Sequence, residues 1–143
     1  MAFGNPYNEP WDVDIVAKWS EVLADMGLKI IALSDTIGIS TKETITPLFS
    51  QLIPEFQEVT FGAHLHTNPT TWNEKMLAAY QSGCTRIDTA IQGFGGCPMA
   101  MDDLTGNMPT EKVLSFFNEQ KVQTGINALA FESAYNKARE VFL

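Results

Sequence analysis

Basic side chains are scarce in this chain. Nine Lys and Arg stand against 17 Asp and Glu, a formal net charge of -8 over 143 residues. Without a Lys/Arg cluster, binding to a nucleic-acid backbone is excluded as a main function, because that backbone is held by neutralising phosphates. Cysteine is scarcer. Cys84 and Cys97 alone cannot make a disulfide framework, so a reducing, cytoplasmic setting is expected. No apolar run approaches the roughly 20 residues of a membrane span. The opening Met1-Ala2-Phe3-Gly4-Asn5-Pro6-Tyr7 lacks the basic start and apolar core of a signal peptide. Histidine is as rare as cysteine, and the two histidines present are two residues apart, His64 and His66.

The apolar pattern alternates between two periods. Ile15, Val16, Trp19, Val22, Leu23 and Met26 repeat at the spacing of one helix face, and Gly27 is a natural stop. Leu28 to Leu33 then forms a continuous apolar run, which suits a buried parallel strand better than a half-exposed one. Ser40-Thr41-Lys42-Glu43 reads as a capping box for a second helix with Ile45, Leu48, Phe49 and Leu52 on its apolar side. Pro47 implies either a kink in that helix or a start at Thr46, and Pro54 is expected to end it. A second strand, Val59 to His64, leads into the histidines. A third helix carries Trp72, Met76, Leu77 and Tyr80, and a third strand spans Thr85 to Ile91. A glycine-rich loop, Gly93 to Pro98, is followed by helices near Thr110 to Glu119 and Ile126 to Phe142.

Strand and helix thus alternate with strands about thirty residues apart, as βαβ units require, which predicts a parallel sheet. On a strand, His64 and His66 project from one face, and paired imidazoles there can share a divalent metal. A chance His-x-His is the competing reading. Asp35, the histidines and the loop through Cys97 to Asn107 all follow strand ends, the edge where sites form in α/β sheets and barrels. Asn107 could instead cap the next helix, Cys97 could be an inert loop thiol, and Asp35 a turn residue. Cys84 reads as a small buried apolar residue, Phe116 and Phe117 as packing residues.

The strings SDTIG (34–38), GAHLHT (62–67) and GFGGCPMAMDDLTGNMPTE (93–111) resemble the C-terminal half of 3-hydroxy-3-methylglutaryl-coenzyme A lyases. The opening AFGNPY resembles the segment after that family's fifth strand. His-x-His is shared across the wider DRE-TIM metallolyase superfamily, and the Gly-Gly-Cys-Pro loop followed by Gly-Asn favours the lyases within it. The resemblance runs from Ala2 to about Gly125 and implies the C-terminal half of a (β/α)8 TIM barrel, with three to four parallel strands and their helices. It implies retro-Claisen cleavage of an acyl-CoA, with Mg2+ or Mn2+ as cofactor. Carried over, His64, His66 and Asn107 match metal ligands, Cys97 and His64 catalytic residues, and Asp35 a substrate-binding acid. A related acyl-CoA synthase or aldolase, or a non-catalytic remnant, is the alternative.

Two departures accompany the resemblance. Thr67-Asn68-Pro69-Thr70 follows the second histidine where the family often has Asp-Thr-Tyr-Gly. The superfamily's first-strand Asp-Arg-Glu-type motif, with its carboxylate ligand, has no counterpart; Ala138-Arg139-Glu140 lies in the wrong place. Half a barrel leaves open sheet edges, which invite association. The chain is therefore expected to be a truncated product or to begin at an internal Met1, and to be inactive alone. A homo-oligomer, or pairing with the missing N-terminal half, is expected.

Overall fold

The computed structural model describes residues 1–100 and 105–142, so Met101 to Leu104 of the loop string fall outside it. Among the described residues five α-helices accompany a small sheet. Helix α1 spans Val13–Asp25, and its N-cap Asp12 accepts a hydrogen bond from Ile15 N–H at 2.7 Å. Strand β1 spans Ile30–Asp35, α2 Lys42–Glu55, β2 Thr60–Thr67 and α3 Trp72–Gln81, and of the helices α2 and α3 pack on β2. After the two-residue β3 (Arg86–Ile87) and a 3-10 turn at Ile91–Gly93 come β4 (Gly106–Asn107), α4 (Thr110–Glu119) and α5 (Ala128–Phe142). Strands β1, β2 and β3 are parallel in that order, and β4 pairs antiparallel with β2. No helix among the described residues is long and apolar enough to cross a membrane.

The core lies between the sheet and the helices on one face. Ile31 and Leu33 of β1 and Phe61, Ala63 and Leu65 of β2 meet Ile45, Leu48, Phe49 and Leu52 of α2 and Met76 and Ala79 of α3, all buried. Odd-numbered strand residues point here because side chains alternate along a strand. Phe116 and Cys84 are buried as expected, and Phe116 stacks edge-on to Tyr80 with ring centroids 5.4 Å apart.

Several elements differ from the expectation. Strand β1 alternates rather than being buried on both faces: Ile30 is 53% exposed beside buried Ile31. The cause is the uncovered second face of the sheet, the face that would line a closed barrel. The second helix begins at Lys42, contains Pro47, and ends at Glu55, one residue past Pro54. Its capping box is formed by Thr41 and Thr44, not by Ser40 and Glu43. Ser40 instead turns inward to Asp35. Strand β2 continues to Thr67, so the histidines lie within it rather than at its end. Strand β3 is short, and further along β2 His66 and Thr67 pair instead with Asn107 and Gly106. Ala90 then bonds to Met108 and Thr110 instead of to β2. Helix α1 packs through Val16, Ser20 and Leu23, leaving Trp19, Val22 and Met26 exposed.

Candidate functional site

The uncovered sheet face carries Ile30, Ala32 and Ser34 of β1 and Thr60, Gly62, His64 and His66 of β2, in register. Gly62 has a specific use there. Arg86 lies across it, and a Cβ would stand 3.0 Å from the Arg86 Cδ. The two imidazoles share this face with ring centroids 5.5 Å apart.

Each ring is held on one side. His66 is 8% exposed, and its Nδ1 lies 2.8 Å from the Thr36 carbonyl oxygen. A carbonyl only accepts, so Nδ1 carries the proton and Nε2 keeps the lone pair. His64 is half-buried, with Nδ1 3.4 Å from Asp88 Oδ2. Arg86 Nη2 stands 3.5 Å from the other Asp88 oxygen. Sequence reasoning had given Asp88 no role. Its position follows from register, since Ile87 pairs with Ala63 and so places residue 88 beside His64. The alternation Arg86-x-Asp88 was the only sequence signal for it.

Asn107 joins them through the antiparallel pairing, in which it is the direct cross-strand partner of His66. Directly opposed residues bring their Cβ atoms within about 4.5–5.5 Å on one face. The helix-cap alternative fails, since Pro109 is the N-cap of α4 and Asn107 is in a strand. Asn107 Nδ2 donates to the Phe94 carbonyl at 2.8 Å, while among the described residues Oδ1 makes no hydrogen bond. The glycine loop makes this possible by packing backbone on backbone. A Cβ on Gly96 would lie 2.6 Å from the Thr105 carbonyl oxygen, and one on Gly106 2.6 Å from that of Gly93. Cys97 lies half-buried in the same loop, and its Sγ accepts from Met99 N–H at 3.4 Å.

Asp35 is not brought to this face. It is 1% exposed on the core side; Ser40 N–H donates to Oδ1 at 3.1 Å, and the Ser40 hydroxyl and Lys75 Nζ donate to Oδ2 at 2.5 and 2.7 Å. Asp35, matched by resemblance to a substrate-binding acid, thus has both oxygens committed inside the fold, away from the face that carries the histidines. Lys75, buried on α3, is the second residue that sequence reasoning missed, because a lysine in a helical repeat reads as solvent-facing.

The donors left over suit a divalent cation. Nε2 of His66, Nε2 of His64 and Oδ1 of Asn107 are two imidazole nitrogens and one amide oxygen, each oriented by a partner on its other polar atom. Among the described residues no three His, Cys, Asp or Glu side chains gather as a metal site.

Comparison with known proteins gives the family and the fold. The HMGL-like family profile matches residues 1–137. An (R)-citramalyl-CoA lyase from Chloroflexus aurantiacus is 32% identical over 133 residues, covering 93% of this chain and 42% of the relative. The human cytoplasmic 3-hydroxy-3-methylglutaryl-CoA lyase is 31% identical over 126 residues, covering 88% of this chain and 34% of that protein. The crystal structure of the Bacillus subtilis HMG-CoA lyase superposes with a TM-score of 0.87 at 28% identity, over 97% of this chain and 46% of that one. This chain therefore spans less than half the length of these relatives, and its sheet and helices are part of their TIM barrel. By the extent of the profile match and the agreement in fold, it belongs to the HMGL-like family of lyase-related proteins.

Proposed function

We propose that this chain supplies the metal-binding edge of a carbon–carbon lyase acting on a 3-hydroxy-3-methylglutaryl-CoA-type thioester. The observation that carries the reading is the pairing of His66 with Asn107, each with one polar atom anchored to a carbonyl and one donor atom left over. In the reaction the substrate's tertiary hydroxyl loses its proton, the adjacent C–C bond breaks, and acetoacetate leaves with the enolate of acetyl-CoA, which then takes up a proton. Bound Mg2+ or Mn2+ would act as a Lewis acid on the hydroxyl oxygen.

His66 and Asn107 hold the cation in this reading. His64, backed by Asp88, has one lone pair and serves either as a third ligand or as the acceptor of the hydroxyl proton. Cys97, on the loop bonded to Asn107, is the donor to the enolate carbon. Flanking glycines allow the thioester to approach that loop closely. Asp35 serves the fold rather than the substrate. The two cysteines are both free thiols, which accords with a cytoplasmic setting.

The partner in this reading is the remainder of the barrel. The outer edge of β1 is open, and Ala2 N–H already donates to Ser34 O there at 2.8 Å. A groove of about 410 Å³ beside it is lined by Trp11, Trp19, Leu23, Ile31 and Leu33, a surface suited to a further strand. A second reading for the chain in isolation is that of a fragment without activity, since it spans less than half the length of the related lyases.

The test is a chimera joining residues 1–143 to the N-terminal portion of a family lyase, assayed for acetyl-CoA release from 3-hydroxy-3-methylglutaryl-CoA and citramalyl-CoA. Metal-dependent cleavage is expected. A folded, Mn2+-binding chimera that cleaves neither thioester would sink the proposal. His64→Ala separates the two roles of His64, since loss of Mn2+ affinity marks a ligand, and intact affinity with lost cleavage marks a base.

A further inference from the structure

Lys75 is 3% exposed, in the middle of α3. Its Nζ donates to Asp35 Oδ2 at 2.7 Å, His66 O at 2.8 Å and Gly38 O at 2.9 Å, which uses all three ammonium hydrogens. These acceptors lie on three different segments: the end of β1, the end of β2 and the loop that follows β1. Packing alone does not call for such a group, because a buried ion pair is often no more stabilising than apolar residues of the same volume.

The placement of the acceptors suggests a use. The His66 ring is oriented by Thr36 O, and Thr36 lies in the loop between Asp35 and Gly38. Lys75 therefore holds both sides of that hydrogen bond, the backbone of the residue that donates and the two flanks of the residue that accepts. The loop runs close against the histidine: a Cβ on Gly38 would lie 3.7 Å from the His66 Cβ. Gly38 has φ +75°, a conformation that the Lys75 bond to its carbonyl helps to fix.

We infer that Lys75 is a positioning residue, whose ammonium, paired with Asp35, sets the loop carbonyl that decides which nitrogen of His66 faces the open sheet. The inference rests on the reading of His66 as a metal ligand. Without the ammonium, the Thr36 carbonyl is free to move and the ring to turn.

The test compares the full chain with Lys75→Met and with the charge-free double variant Asp35→Asn/Lys75→Met. The double variant removes the clamp without leaving a lone buried charge. Long-range proton–nitrogen NMR of the metal-free protein reads the imidazole tautomers, and His64→Gln separates the two histidine signal sets. In the parent, His66 is expected to show a protonated Nδ1. In a variant that keeps its helical circular dichroism and cooperative melting, that pattern is expected to be lost, and Mn2+ affinity by calorimetry to fall roughly 10- to 100-fold. An unchanged His66 pattern in a folded variant overturns the inference. So does failure of both variants to fold, which would make the ammonium a requirement of folding alone. If the parent chain binds no Mn2+, the ligand reading fails, and the imidazole spectrum by itself decides whether Lys75 positions the ring.

Discussion

Gly106→Ala tests whether backbone packing of the glycine loop sets the place of Asn107. An added Cβ would stand 2.6 Å from Gly93 O and 3.3 Å from Gly95 O, both backbone atoms that no rotamer change can move aside. The loop must retreat by most of an ångström. Forced overpacking of this kind costs about 1–3 kcal/mol. The retreat also strains the 3.0 Å bond from Asn107 N–H to Gly95 O, whose loss is worth about 1 kcal/mol. Because Asn107 is the next residue, its amide oxygen moves with the strand. A misplacement that costs about 1.4 kcal/mol of coordination lowers Mn2+ affinity about tenfold. Urea unfolding and Mn2+ calorimetry on the same preparation read the two effects separately. Gly27→Ala is the control: its φ is +93°, so it strains the backbone by about 1–2 kcal/mol, but its Cβ meets nothing within 4 Å. It should lower stability and leave Mn2+ affinity alone. If Gly106→Ala matches the parent in both measurements, the glycine loop does not position Asn107.

Other perturbations probe the scaffold. Burial pushes the Cys84 thiol up from 9.0 to about 11, so the unfolded chain gives up this proton before the folded one does. The resulting stability is complete below about pH 9 and lost as pH rises through 11; urea midpoints at pH 8 and 10.5 should converge in Cys84→Ala relative to the parent. Native-state alkylation at pH 8 should modify half-buried Cys97 while sparing Cys84, and peptide mass mapping would expose the reverse order. Phe49→Ala, at a fully buried position where α2 meets the sheet, should cost about 3–5 kcal/mol, whereas Trp19→Ala, 60% exposed, should stay within about 1 kcal/mol in the isolated chain. Thr41→Ala should remove the capping box of α2 and lower stability by about 1 kcal/mol, measured by thermal unfolding.

Much of the site was legible before any coordinates. His64 and His66 share a face because strand side chains alternate, a rule that needs only the spacing and the strand assignment. The joining of Asn107 to them was suggested by resemblance, but its physical cause, an antiparallel pair between β2 and β4, is a long-range contact that no local pattern encodes. Asp35 shows the opposite case. A polar residue at a strand end reads as part of an open edge, yet its side chain turns to the helix side, where Lys75 and Ser40 neutralise and cover it.

The alternation of strand and helix, the shared face of the histidines and the family resemblance all follow from local periodicity and short motifs, so the sequence by itself determined them. Which groups orient the donors was decided only by tertiary structure. Thr36 at His66, Phe94 at Asn107 and Asp88 at His64 are 30, 13 and 24 residues distant along the chain. Sheet register places Asp88 beside His64, and loop packing places Phe94 and Thr36; both are long-range contacts rather than properties of any one strand.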